Sequence, residues 1–141
     1  MELLTPEGWP AARGYAHGVA ATGRIVCVSG QIGWNTAHAV ESDDFVEQAR
    51  KALTNVVAVL AAAGARPEHV VRMTWYLVDM DEYLAQGRNL GIAYREVMGS
   101  HYPAMSAVAV TRLVHARAKV EIEATAVLTD DMLQHRSGVP R

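Results

Sequence analysis

The chain has 141 residues, half of them hydrophobic and a fifth charged, with 13 basic against 15 acidic side chains and a formal charge of −2. That length suits one domain over residues 1–141, and the balanced charge gives no long-range pull on polyanions. The short basic run His115–Lys119 has no aromatic stacking platform beside it, so no nucleic-acid partner is expected.

In chain order, residues 1–13 hold Pro6, Gly8 and Pro10 and read as an irregular arm. Tyr15–Ala21 and Arg24–Ser29 read as two strands joined in a hairpin at Thr22–Gly23. The second is nearly apolar on both faces: Val26 and Val28 share one, Ile25, Cys27 and Ser29 the other. It is expected to be central, with Cys27 packed as a small hydrophobe. Residues 30–35 follow as a loop or strand extension.

Ser42 is the expected cap of a first helix, with Asp43 and Asp44 in its first turn, where the helix dipole favours negative charge. Phe45, Ala49, Ala52, Leu53, Val56, Val57 and Leu60 recur at helical spacing, and Gly64 and Pro67 end the run. Residues 70–78 read as a strand. Asp81 is the expected cap of a second helix over 82–98, in which Gly87 and Gly91 are expected to admit a close-packed neighbour. Strands over 106–112 and 119–128 follow, separated by a turn, and 129–141 reads as a tail.

The order β-β-α-β-α-β-β predicts an α+β fold, an open sheet with two helices on one face. The strands look apolar on both faces, so the bare face is expected to pack against another copy of the chain. Cys27 is the only cysteine, which allows no intrachain disulfide and suits a reducing compartment. The N-terminus lacks the pattern of a secretory signal and no apolar run approaches bilayer length, so a cytoplasmic protein with no membrane partner is expected.

No two of the six histidines stand at i, i+4 on a helix, and none has a cysteine at ligand spacing, so no metal is expected. Ser29 lies between glycines in "SGQIG" without the strand–elbow–helix setting of a hydrolase nucleophile. What remains is a set of polar residues on apolar strands: Tyr15, Ser29, Glu121 and Glu123. Carboxyls enclosed by apolar side chains are suited to moving protons near neutral pH, the one acid/base chemistry suggested here.

The segments "GYAHGVAATGRIVCVSGQI" (14–32), "FVEQARKALTNVVAVLAAAGA" (45–65), "VVRMTWYLVDMDEY" (70–83) and "YPAMSAVAVTRL…VEIEATAV" (102–127) together resemble the Rid (YjgF) family. The resemblance implies a chorismate-mutase-like fold, a homotrimer, and three small-molecule pockets at subunit interfaces. It implies cofactor-independent hydrolysis of enamines and imines to 2-oxo acids and ammonia. Carried over to this chain, Tyr15, Ser29, Gly30 and Glu121 match the family's pocket residues.

The family's carboxylate-gripping arginine is replaced by Met105, and its pocket cysteine by Ala107. The helix asparagine corresponds to Asn89, or its place is taken by Gly91 or Gly87. Arg112 and Lys119 are the cations that stand nearby in sequence. A charge-assisted arginine–carboxylate contact contributes about 1.5–3 kcal/mol, and a thioether offers neither charge nor donor. With Ala107 and Trp34, Met105 points to a more apolar pocket and a less polar ligand, acted on by Glu121. The alternative is a trimeric binding protein without the chemistry. Ribonuclease activity, attached to some relatives, finds no support in this charge distribution.

Overall fold

The structure is a computed structural model that describes residues 1–129. Its centre is a four-stranded sheet in the order β3-β6-β4-β5, formed by β3 (Arg24–Gln31), β4 (Val70–Leu77), β5 (Ala104–Ala109) and β6 (Val120–Leu128). β6 runs antiparallel to both its neighbours, and β4 and β5 are parallel. That arrangement follows from the helical connections, because parallel strands need a crossover and the segments before β4 and β5 are both helical.

Helix α1 (Phe45–Ala62) lies across this sheet and buries the expected stripe, with Ala49, Ala52, Leu53, Val56 and Leu60 fully inaccessible. These meet Met73, Leu77, Val120 and Ile122 from the sheet in a single core. Each large aliphatic side chain buried there contributes about 1.5–3 kcal/mol. The expected cap is corrected by two residues: the Asp44 carboxylate accepts from the Glu47 amide, while Ser42 Oγ accepts from the Asp44 amide just before the helix.

The second helix is also corrected. It is two helices, α2 (Met80–Ala85), capped by Asp79 rather than Asp81, and α3 (Gly87–Met98). The chain turns at Gln86, whose φ of −99° and ψ of 14° leave helical geometry just before Gly87. From there Leu90, Ala93, Tyr94 and Met98 recur at helical spacing and bury one face of α3.

The N-terminal expectations change most. The arm contains a strand, β1 (Glu2–Leu4), which pairs antiparallel with β2 (Gly18–Ala20). No ladder joins β2 to β3, so the expected hairpin is not formed. Gly23, with φ +151°, redirects the chain so that Arg24 enters the sheet opposite Leu128 instead of folding back on β2. The expected tail, apart from Thr129, lies outside the described residues.

The sheet face away from the helices is bare, as the element order requires, but it is not apolar. The register puts Arg72, Thr74 and Tyr76 of β4 beside Thr125, Glu123 and Glu121 of β6. Cys27 and Ser29 of β3 lie on the same side and are exposed, which corrects the packed position expected for Cys27. Ile25 and Val108 keep 66% and 43% of their surfaces exposed, so the face mixes polar and apolar groups rather than being a greasy patch.

Candidate functional site

The largest concentration of aromatic side chains surrounds a cavity of about 550 Å³ between α3 and the edge strand β5. Each wall has a local cause. Trp75 enters from β4, with Met105 and Ala107 beside it from β5, because Met73 pairs with Met105 and Trp75 with Ala107 in the parallel ladder. Tyr83 of α2 meets Trp75 edge-on with ring centroids 6.2 Å apart. Tyr94 of α3 stacks on Tyr102 at 5.1 Å and donates its hydroxyl proton to the His101 carbonyl at 2.6 Å. Burial, and next the neighbouring Tyr102 hydroxyl, push the Tyr94 phenol well above its ordinary value, so it stays a neutral wall of the cavity.

The arm completes the enclosure. The Ala16 amide donates to the Pro103 carbonyl at 2.9 Å and Ala16 bridges Ala104, which fastens Arg13–Tyr15 beside the start of β5. Gly87 and Gly91 line the cavity from α3, and this corrects their expected role. A Cβ on Gly87 would meet nothing within 4 Å, and one on Gly91 would meet only the Arg95 guanidinium, at 3.4 Å. These glycines leave room rather than admit a packed neighbour.

Glu121 and Ser29 are elsewhere. Glu121 pairs with Tyr76 across the β4–β6 ladder, whereas Met105 and Ala107 pair with Met73 and Trp75, which point to the opposite side. Within one chain the sheet therefore separates Glu121 from the cavity. The bulge between Val28 and Gln31 brings Gly30 against Glu121, where a Cβ would lie 2.7 Å from the carboxyl carbon. Ser29 Oγ accepts from the Gln31 amide nitrogen at 3.3 Å. Glu123 is tied up structurally, accepting the Tyr76 hydroxyl proton at 2.6 Å. That hydrogen bond, with desolvation next, raises the Tyr76 phenol above its ordinary value. Replacing Gly30 by Ala is expected to displace the Glu121 carboxylate and lower any Glu121-dependent turnover at least about 10-fold, with a small change in Tm. Paired kinetics and thermal melts check this.

The sequence-predicted residues thus divide. Tyr15, Met105 and Ala107 line the cavity; Ser29, Gly30 and Glu121 cluster on the bare face. Asn89 joins neither: its side chain donates to Gln86 Oε1 at 2.9 Å on the exposed side of α3, and Gly87 and Gly91 hold the cavity positions instead. Trp34 stacks on His38 of its own chain, with centroids 4.0 Å apart. Lys119 lies 3.8 Å from Glu82, and Arg112 lines a separate surface cavity with Val114 and His115. Sequence reasoning missed Arg13, Arg95, Trp75 and Tyr94; the available signal was Arg95 four residues after Gly91, one helical turn on.

Among the described residues no group of three or more His, Cys, Asp or Glu side chains is gathered as a metal site would require. Among the same residues no helix is long and apolar enough to cross a membrane.

An open sheet covered by helices on one side, with a small-molecule-sized cavity at its edge strand, makes this an α+β protein with a candidate ligand site. Residues 7–128 match the family model described as Endoribonuclease L-PSP. A 2-iminobutanoate/2-iminopropanoate deaminase of Escherichia coli is 34% identical over 127 residues, covering 89% of this chain and 97% of the relative. A RutC family protein of Haemophilus influenzae is 33% identical over 126 residues, covering 89% and 96%. The solved structure of the Rid family protein YyfB from Yersinia pestis superposes with a TM-score of 0.80 at 30% identity, over 90% of this chain and 98% of that one. Escherichia coli TdcF, solved with bound serine, gives 0.66 at 30% identity, over 92% and 100%. The chain belongs to the Rid (YjgF) family, whose members include imine deaminases.

Proposed function

We propose that this protein is a cofactor-independent imine or enamine hydrolase that works as a cytoplasmic homotrimer, with each ligand site shared between two copies. The observation that carries the reading is the division of the site residues. A cavity with an apolar wall stands at the sheet edge, while the one unengaged carboxylate of the matched set, Glu121, is fixed against Gly30 on the opposite face. A second copy laid on the bare face brings its Glu121 to the first copy's cavity. The kinship with 2-iminobutanoate/2-iminopropanoate deaminases supports the chemistry.

In the proposed reaction Glu121 takes a proton from water as its oxygen bonds to the imine carbon. Glu121 returns that proton to the imine nitrogen, giving a carbinolamine, which collapses as its hydroxyl proton passes through Glu121 to the amine nitrogen and the C–N bond breaks, leaving a carbonyl compound and ammonia. Tyr15 and Ser29 supply hydroxyls that orient the water and the nitrogen. Met105 gives no donor, so a carboxylate on the reacting carbon would face Glu121 with its charge uncompensated. The preferred substrate is therefore an imine or enamine without a carboxylate at that carbon, which is an altered specificity relative to 2-iminobutanoate.

Ammonia release from imines generated in situ, with and without that carboxylate, tests the reading. A rate above buffer for the uncarboxylated imines is expected, and none across both sets contradicts it. Light scattering is expected to give a mass near three 15.3 kDa chains; a mass near one chain removes the shared site. The absence of the usual grip at Met105 favours the second reading, a trimeric binder without chemistry, which predicts ligand binding without ammonia release. Ribonuclease activity, named in the family description, is disfavoured by 13 basic against 15 acidic residues and predicts RNA cleavage.

A further inference from the structure

The cation missing from β5 has a counterpart across the same cavity. Arg95 and Arg13 both line it, and no aspartate or glutamate does. Arg95 projects from α3 and folds back toward the helix N-terminus, so that its guanidinium lies over Gly91, 3.4 Å from where a Cβ would stand. A Cβ at position 91 would stand in ordinary van der Waals contact with it. Other arginines of the chain are ion-paired, Arg50 with Glu47 and Glu96, Arg66 with Glu68 and Arg117 with Asp43. Among the described residues Arg95 and Arg13 have no ion pair and no side-chain hydrogen bond. The rings of Trp75, Tyr83 and Tyr94 and the Met105 thioether line the same cavity.

Two unpaired guanidinium groups on an aromatic-walled cavity define a ligand with two ends. We propose that the cavity binds an organic carboxylate with an apolar or aromatic body, its anionic group held by Arg95 with Arg13 in support and its body laid on Trp75, Tyr94 and Met105. The proposal rests on the cavity being the ligand site of the imine hydrolase argued above. It adds that the carboxylate grip has moved from strand to helix, so the substrate carries its carboxylate away from the reacting carbon. A guanidinium is suited to that task because its planar fork matches a carboxylate bidentately.

Calorimetric titration with 3-phenylpropanoate, and with the uncharged 3-phenylpropanamide as control, tests this. The carboxylate is expected to bind the unaltered protein at least 10-fold more tightly than the amide. Arg95→Gln is expected to remove that preference while leaving amide binding unchanged, and Arg95→Lys to keep part of it. Equal binding of the two compounds, no binding of either, or a preference that survives Arg95→Gln and is lost only in Arg13→Gln would each overturn the assignment. Binding is read without turnover. A catalytically silent protein that shows this preference keeps the carboxylate site and loses the hydrolase reading; an active one that lacks the preference does the reverse.

Discussion

Glu121→Gln is expected to lower imine hydrolysis at least about 100-fold while leaving mass and Tm close to those of the unaltered protein. General base catalysis by a positioned side chain contributes about 10²–10⁴-fold. The amide keeps the shape of the carboxylate but cannot take a proton from water. Glu121 is half-buried and has no side-chain hydrogen bond or ion pair among the described residues, so little in the fold depends on its charge. The contrast with Glu123 is informative: it accepts the Tyr76 hydroxyl proton, and its replacement is a change to sheet structure rather than to chemistry. Ammonia release at saturating and limiting substrate separates loss of turnover from loss of binding.

The largest loss of stability is expected from Gln48→Leu, at about 3 kcal/mol in chemical denaturation. Gln48 retains 1% of its surface and is buried in the first turns of α1. Its amide nitrogen donates to the carbonyls of Ser42 at 2.8 Å and Arg117 at 3.0 Å, and its Oε1 accepts from the Lys119 amide at 2.8 Å. One side chain thus ties the start of α1 to the segment that feeds β6. Leucine matches its volume but leaves three part-buried backbone groups without their partner, each costing about 1–3 kcal/mol when left unpaired. Since Lys119 directly precedes β6, the same change is expected to loosen the register that presents Glu121.

How much of this was legible in the residues depends on the range of the interaction. The apolar stripe of α1 and the strands β4 and β6 follow from periodicity alone, since burial of one face is what that spacing encodes. Both helix caps differ from expectation by two residues because Ser42, Asp43 and Asp44, or Asp79 and Asp81, offer equivalent caps, and only the fold selects among them. The β1–β2 pairing escaped notice because three-residue strands carry little pattern and pair across more than a dozen residues. Nothing in the spacing distinguishes Gln48 from other polar helix residues, because two of its three partners, Arg117 and Lys119, are about seventy positions away.

The site shows the same division. Tyr15, Ser29, Gly30, Glu121, Met105 and Ala107 could be named from the family resemblance, but not their separation by the sheet, which is a property of strand register. Gly87 and Gly91 read as packing contacts because glycine in a helix usually signals close approach; here the space they leave is part of a cavity. Arg95 carries only its spacing from Gly91 as a signal, for the complementary reason that a charged residue on a helix is ordinarily a solvated one.

The central claim is that one copy's Glu121 serves another copy's cavity, and mixing two inactive variants tests it most directly. Glu121→Gln keeps the cavity, and Ala107→Trp fills it while keeping Glu121. Each alone is expected to be inactive. After the two are unfolded together and refolded, random assortment pairs an intact Glu121 with an intact cavity at about a quarter of the interfaces of a cyclic trimer. Recovery of about a quarter of the unaltered protein's ammonia release is predicted. Trimers shown by mass spectrometry to contain both variants, yet as inactive as either alone, would contradict the shared site.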